Sequence, residues 1–202
     1  MAVRTVGDSK KVRVDVPGYN SYPELMLTEH QIADRVGELG EELGAVYSKL
    51  GGAHVVTVLQ GAMHFSSDLQ RAMQHAAPDL PMTMDTIRVQ SYEGTNSTGK
   101  MRTLNNVHAP VEGRHVLIVE DILDTGNTLK WLIDYFADMG AASLGVVTLL
   151  DKEVAERPAD LLGDTPFYAG FKIPNYFVIG YGLDYNQLYR NLRGIYRLEK
   201  QA

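Results

Sequence analysis

The sequence predicts an α/β protein built on a mainly parallel central sheet flanked by helices. Three observations carry that expectation. Apolar runs of strand length, Val55 to Leu59, Met82 to Val89, Val116 to Val119 and Leu144 to Leu150, alternate with segments of helical period. That succession is the mark of right-handed βαβ units. Two of the runs also end in tight glycine-bearing turns leading into a helix, which is where open parallel sheets bind ligands.

The elements follow in order. Residues 1–24 are polar, contain Pro17 and Pro23, and read as an arm or irregular lead-in. Thr28 with Gln31 makes a capping-box pattern. Ile32, Val36, Leu39, Leu43, Val46 and Leu50 then recur at helical spacing, and Gly51-Gly52 stops the helix. The stripe is short for a coiled-coil seam, so a helix packed on a sheet is expected. Val55 to Leu59 is a strand, and Gln60-Gly61 turns it into a helix with Phe65, Leu69 and Met73 on one face. Met82 to Val89 is the next strand. Residues 90–106 form a long polar connection, and such connections in compact domains are usually lids or disordered. A flexible lid is expected there, with parts of it paired as a hairpin, because it leaves the sheet at its ligand-binding end. Val116 to Val119 is a strand, followed by a helix with Leu129, Ile133 and Phe136 on one face, closed by Gly140. Leu144 to Leu150 is another strand. Beyond it the character changes. Six of the eleven tyrosines lie between Tyr168 and Tyr196, which reads as packing and subunit contact. Phe177-Val178-Ile179 is a short strand. There is no internal repeat, and a single domain over residues 1–202 is expected.

Composition excludes several classes. Hydrophobic content is 45 %, ordinary for a globular protein with a real core. Net charge is −6, with no basic block beyond Lys10, Lys11 and Arg13, which argues against nucleic acid as a partner. Cysteine is absent, so there is no disulfide framework and no thiolate chemistry. The first residues lack an apolar signal-peptide core, and no apolar run approaches a membrane span. A soluble, cytoplasmic protein with no membrane partner is expected, and the glycosylation pattern Asn96-Ser97-Thr98 reads as incidental. No nucleoside-triphosphate P-loop, dinucleotide fingerprint or nucleophile elbow is present. The six histidines lack zinc-ligand spacing, and His64 reads as a surface or packed residue. Magnesium, which takes oxygen ligands and is often held largely by substrate phosphates, is the expected metal.

The most informative stretch is residues 116–128, Val-Leu-Ile-Val-Glu-Asp-Ile-Leu-Asp-Thr-Gly-Asn-Thr. Glu120 and Asp121 stand at the end of a buried-strand pattern. Asp124 follows after two apolar residues, and Thr125, Gly126, Asn127 and Thr128 lead into a helix. Backbone N–H groups at such a junction make an anion site. Carboxylates would repel a bare phosphate, so here they must bind hydroxyls or move a proton. A strand ending in acidic surface residues and a glycine turn would explain each piece alone, but not the ordered set.

This stretch resembles the phosphoribosyl-diphosphate (PRPP) motif of the type I phosphoribosyltransferases, at all thirteen positions. Three further segments narrow the resemblance to the hypoxanthine-guanine phosphoribosyltransferases. Val58-Leu-Gln-Gly-Ala62 looks like that family's diphosphate loop. Ser91-Tyr92, with Ser97-Thr98-Gly99, looks like its mobile loop. Phe177-Val-Ile-Gly-Tyr-Gly-Leu-Asp-Tyr-Asn186, with Arg190, looks like its base- and diphosphate-binding segment. Lys152 lies where the family has its base-reading lysine. The resemblance covers roughly residues 25–198 and keeps the family's order and spacing.

It implies the type I fold, with a small hood made mainly from residues 151–202 and an N-terminal contribution. It implies transfer of the 5-phosphoribosyl group from PRPP to hypoxanthine or guanine, with magnesium as cofactor, and a homodimer or homotetramer. It also implies roles. Glu120 and Asp121 bind the ribose hydroxyls, and Asp124 through Thr128 hold the 5′-phosphate. Asp124 also handles the proton at the purine N7. Leu59, Gln60 and Gly61 hold the diphosphate, usually through a cis peptide between the first two, and Arg190, Ser91 and Tyr92 contact it. Lys152 donates to the purine O6, Phe177 stacks on the ring, and Val178 reads its edge. Asp184 lies by the base and, with Glu120 and Asp121, serves the metal. Gln60 stands where many members carry lysine, so backbone contacts survive there but a positive charge does not. Two alternatives stay open on the residues alone. One is a member preferring another base such as xanthine. The other is a regulatory protein that binds PRPP or nucleotide without catalysis; such a protein could lose Asp124 or the lid, and both are present.

Overall fold

The computed structural model describes residues 12–91, 101–105, 107–155, 157–158 and 160–201. Its largest element is a six-stranded sheet. The strands are β2 (Ala53–Val58), β3 (Met82–Ser91), β4 (Met101–Asn105), β5 (His115–Leu123), β6 (Ser143–Glu153) and β7 (Phe167–Pro174). Their order is β4-β3-β2-β5-β6-β7, parallel throughout except for the antiparallel β3–β4 pair. Three helices cross between strands: α1 (Glu29–Leu50), α2 (Met63–Ala76) and α3 (Asn127–Asp138). A second sheet, order β1-β9-β8, joins β1 (Glu24–Leu27), β9 (Ile195–Leu198) and β8 (Phe177–Ile179), all antiparallel.

Period-two alternation along the central strands sorts the core into two layers. On β5, Leu117 and Val119 join the α1 and α2 layer, with Leu39, Leu43, Phe65, Leu69 and Met73. Val116 and Ile118 face the α3 layer, with Leu129, Leu132 and Phe136. A third cluster, Val14, Val16, Ile179 and Leu198, lies under the small sheet. Every residue of β2 is buried, as expected of a strand covered on both faces.

α1 starts where the sequence says. The Gln31 amide donates to Thr28 Oγ1 (3.2 Å), and the Thr28 amide donates to Gln31 Oε1 (2.9 Å), closing the capping box. It stops at Gly51, whose φ of 85° is left-handed. Its buried stripe ends on Tyr47; Val46 is half-buried and Leu50 is exposed. Arg35 reaches across to the outermost strand, donating to the carbonyls of Gly170 and Ala169, both at 3.0 Å.

Several expectations need correction. β5 runs on to Leu123 and β6 to Glu153, so Glu120, Asp121 and Lys152 lie within strands rather than beyond their ends. Hydrogen-bonded register with a neighbour, not apolar character, decides where these strands stop; Glu120 pairs with Thr148 and Leu123 with Asp151. In α3 the buried face is Leu129, Leu132 and Phe136, and Ile133 is only partly buried. β7 was not anticipated, nor were β1 and β9. The hood does not begin at residue 151, because 151–153 and 167–174 extend the main sheet. The N-terminal arm is not simply an irregular lead-in: Tyr19 is bridged to Lys200 and β1 is paired to β9. β3 and β4, which flank the segment expected to be a lid, pair antiparallel with Ser91 opposite Met101. Tyr92 to Lys100 and Asn106 lie outside the described residues. Among the described residues, no helix is long and apolar enough to cross a membrane.

Two glycines in α1 test the packing. A methyl group at Gly40 would sit 2.5 Å from Ala72 Cβ and 2.8 Å from its carbonyl carbon, whereas one at Gly37 meets nothing within 4 Å. Gly40→Ala is expected to destabilise by about 1–3 kcal/mol through overpacking of the α1–α2 contact. Gly37→Ala is expected to stabilise by up to about 1 kcal/mol through helix propensity. Urea denaturation of the two variants checks both signs.

Candidate active site

β5 sits in the middle of the sheet and carries the acidic pair to its C-terminal end. Glu120 is 9 % exposed. Burial pushes its carboxyl well above the ordinary carboxylate range, and the adjacent Asp121 charge pushes it further. Burial also raises Asp121, although its hydrogen bond to Glu120, backbone amides and the Arg190 charge pull the other way. Two carboxyl groups so close and so poorly hydrated resist carrying two charges together.

The turn after β2 lies directly on Asp121. A Cβ on Gly61 would fall 1.6 Å from Asp121 Oδ2, so only glycine fits this crossing. The Leu59–Gln60 peptide just before it is cis, as the resemblance implied. The Leu59 amide donates to the Ile87 carbonyl (2.8 Å), tying the turn to β3.

From the other side the segment after β8 packs on the same turn. A Cβ at Gly182, whose φ is 106°, would fall 2.0 Å from the Gly61 carbonyl oxygen. Arg190 donates to the Gly182 carbonyl (2.6 Å) and pairs with Asp184 Oδ1 (2.7 Å). Asp184 Oδ2 in turn accepts from the Gln187 amide (2.8 Å). Asp121, the 59–61 turn, Gly182, Asp184 and Arg190 therefore form one contiguous group. Tyr181, next to Gly182, donates its hydroxyl to Asp68 Oδ2 (2.5 Å) on α2. Its ring lies 6.1 Å from His64, which is packed at the start of that helix.

The 124–128 turn opens α3. Gly126 is the N-cap, with φ 82° and no side-chain cap hydrogen bond. The first-turn N–H groups of α3 thus face the loop without a side-chain acceptor, the arrangement that favours an anion. Gly126 is required twice, by its left-handed backbone and because a Cβ would fall 2.0 Å from Leu161 Cδ2. Thr125, Asn127 and Thr128 flank it.

Asp124 is half-exposed and paired with Lys152, Nζ to Oδ2 2.9 Å. The Lys152 side chain is only 12 % exposed, which excludes the free solvated lysine of a surface charge run. Register sets Lys152 against Ile173 and Glu153 against Pro174. The chain then passes Tyr176 to reach Phe177 at the edge of the small sheet. Phe177 is 41 % exposed, with Tyr19 at 5.9 Å and Tyr185 at 6.0 Å between ring centroids. Val178 beside it is buried and pairs with Arg197. Ser91 ends β3; Tyr92 lies outside the described residues.

Sequence reading missed one residue. Arg157 follows an acidic run and carries no motif signal. It nevertheless donates to the carbonyls of Leu123, Asp124 and Lys152 and to the Asp151 carboxylate. Gly182 was visible only as part of a longer resemblance, because no local signal announces that another backbone crosses it.

Residues 27–186 match the family model described as the phosphoribosyl transferase domain. The hypoxanthine-guanine phosphoribosyltransferase of Bacillus subtilis (strain 168) is 40 % identical over 170 residues, 84 % of this chain and 89 % of that protein. The bifunctional protein TilS/HprT of Listeria innocua is 42 % identical over 175 residues, 86 % of this chain. The match spans only 26 % of that longer protein's length. Among solved structures, a hypoxanthine phosphoribosyltransferase from Staphylococcus aureus superposes with a TM-score of 0.76 at 40 % identity, covering 87 % of this chain and 91 % of that one.

The buried acidic pair predicts an unusual pH response. Unfolded, Glu120 ionises near the ordinary 4.5; folded, it holds its proton to higher pH. Its stabilising effect is complete below the unfolded value and is lost as pH rises through the folded value. Glu120→Gln, which cannot ionise, is therefore expected to raise the thermal midpoint near neutral pH. The difference should shrink toward zero as the pH approaches 4.5. Calorimetry of both proteins across that range checks the sign.

Proposed function

This chain belongs to the phosphoribosyltransferase family, and from that premise we propose that it is an enzyme of purine salvage. It transfers the 5-phosphoribosyl group of PRPP to a 6-oxopurine, hypoxanthine or guanine, releasing diphosphate and forming IMP or GMP. The observation that carries the choice of base is the Lys152–Asp124 pair at 2.9 Å, an ammonium and a carboxylate side by side at the sheet end. A 6-oxopurine offers an acceptor at O6 and a ring N–H next to it at N7, so one face of the base matches both groups. Adenine offers an amino group at the first position and would set two donors against each other, which a polar pocket rejects strongly. The names of the relatives above support the same reading.

In the reaction the bond from the ribose C1 to the diphosphate oxygen breaks as a bond from C1 to the purine nitrogen forms. Glu120 and Asp121 hold the ribose hydroxyls. The first-turn amides of α3, with the Thr125 and Thr128 hydroxyls and the neighbouring Gly126 and Asn127, hold the 5′-phosphate. Backbone groups of Leu59, Gln60 and Gly61, together with Arg190, receive the leaving diphosphate. By the family resemblance Ser91 and Tyr92 contact it as well; water must be excluded there, because it would hydrolyse the activated sugar. Asp124 accepts the proton that the base gives up at N7. Phe177 presents an exposed ring to the purine face, and the Val178 backbone reads its edge.

The donor set fits magnesium. Glu120, Asp121 and Asp184 offer hard carboxylate oxygen, and the buried acidic pair favours a cation beside it. Among the described residues no three His, Asp or Glu could cage a metal together, so Glu120, Asp121 and Asp184 would each contribute to holding it only singly. When bound, magnesium neutralises charge on the departing diphosphate. We place the enzyme in the cytoplasm as a homodimer or homotetramer. Sedimentation equilibrium measures the state.

The direct test is nucleotide formation from PRPP with hypoxanthine, guanine, xanthine or adenine, with and without magnesium. No product from either of the first two bases would remove this reading. Asp124→Asn is expected to keep PRPP binding while lowering kcat by about 10²-fold or more, the scale of losing a general base. Separate measurement of kcat and PRPP affinity distinguishes this from a binding defect. Lys152→Ala is expected to raise the KM for hypoxanthine and guanine about 10-fold or more and to weaken rejection of adenine. Wild-type base kinetics in that variant would leave Lys152 with no part in base selection.

A further inference from the structure

We infer that Arg157 is a positioning residue that sets the spacing between Lys152 and Asp124, and so determines which bases are accepted; this rests on the proposed function. Lys152 and Asp124 come from different strands, one on β6 and one in the turn after β5. Register, with Leu123 opposite Asp151, brings the two residues side by side, but Asp124 lies just past the end of β5, beyond the last ladder pair. Arg157 spans the gap. Its Nη2 donates to the Leu123 carbonyl (2.8 Å) and to the Lys152 carbonyl (2.5 Å), its Nε donates to the Asp124 carbonyl (3.1 Å), and its Nη1 donates to Asp151 Oδ1 (2.5 Å). The backbone of both members of the pair is thus held by one rigid planar group.

Three features argue that this is more than a loop staple. The guanidinium side chain is 18 % exposed and its Asp151 partner 14 %, so the clamp is mostly shielded from water, where charge-assisted hydrogen bonds are strong. Its carbonyl partners are those of Asp124 and Lys152 themselves and of Leu123 just before the pair, and none lies beyond Asp124 in the turn that follows. Its geometry also demands arginine. Lysine keeps the charge but cannot direct donors along several fixed directions from one plane. Without the clamp, β5 and β6 still pair through Ile122–Leu150 and Leu123–Asp151, so the sheet survives while the side-chain spacing at its end loosens. Small displacements of a polar constellation cost far more in discrimination than in folding.

The test measures kcat and KM for PRPP, hypoxanthine and adenine in Arg157→Ala, Arg157→Lys and Asp151→Asn. Arg157→Ala should raise the hypoxanthine KM and lower the hypoxanthine-to-adenine kcat/KM ratio, each about 10-fold, with the PRPP KM within about 2-fold of wild type. Arg157→Lys should behave like alanine in base selection, and Asp151→Asn should move the same parameters the same way by less. A double change, Arg157→Ala with Lys152→Ala, should cost little more in selectivity than Lys152→Ala alone, because the first acts through the second. Unchanged base kinetics in Arg157→Ala, rescue by lysine, or equal loss for PRPP and base with a lower thermal midpoint would each overturn the inference. Wild-type activity with PRPP and hypoxanthine is scored separately, so failure of the clamp is distinct from failure of the proposed function.

Discussion

Placing two adjacent carboxyl groups at the buried end of a central strand is the constraint on which this site depends. β5 lies between β2 and β6, so Glu120 arrives buried and Asp121 half-buried beside it. Such groups are tolerated only when their surroundings answer the charge. The neighbours fit that need. A glycine turn allows the backbone to cross against Asp121, Arg190 brings a positive charge toward it, and Gly182 lets the Arg190 segment close over the same turn.

The sheet makes that arrangement rigid. Residues alternate between two apolar layers along each strand, so sliding β5 by one position would exchange the layers and bury the wrong faces. The acidic pair, the 124–128 turn and Lys152 therefore sit on elements whose register is over-determined. The small sheet is different. It carries Phe177 and Val178 on β8 and meets the main body through Leu27, Val178 and Ile195 in the shared core, with Tyr181 just beyond β8 bonded to Asp68.

Much of this was legible before any coordinates. α1 announced itself by its capping box and its glycine stop, and the acidic run with its Thr-Gly turn by an ordered pattern with few other uses. The helix registers of α1 and α2 followed from apolar spacing. β7 escaped because Phe167–Pro174 is a half-buried edge strand whose apolar pattern is diluted by Gly170 and Lys172, and only pairing with β6 defines it. β1 and β9 are four-residue strands from distant parts of the chain, and no local signal marks either. β5 and β6 run longer than their apolar cores because ladder hydrogen bonds hold polar residues in line. Arg157 was invisible for a related reason: its meaning lies in carbonyls that two other segments bring to it.

The small sheet draws β1 and β9 from positions 24–27 and 195–198, and a hydrogen bond from the Asp15 amide to the Tyr189 hydroxyl spans 174 residues. Closing so long a loop carries an entropic cost that local βα contacts do not meet, so the folding chain completes this part last. The main sheet does not bury its core alone: Leu27, Val178, Leu183 and Ile195 pack in the same apolar cluster as Leu39, Phe65 and Leu117. The proposed base contacts are therefore divided: Lys152 and Asp124 stand on the main sheet, and Phe177 and Val178 stand on the small sheet that β1 and β9 close.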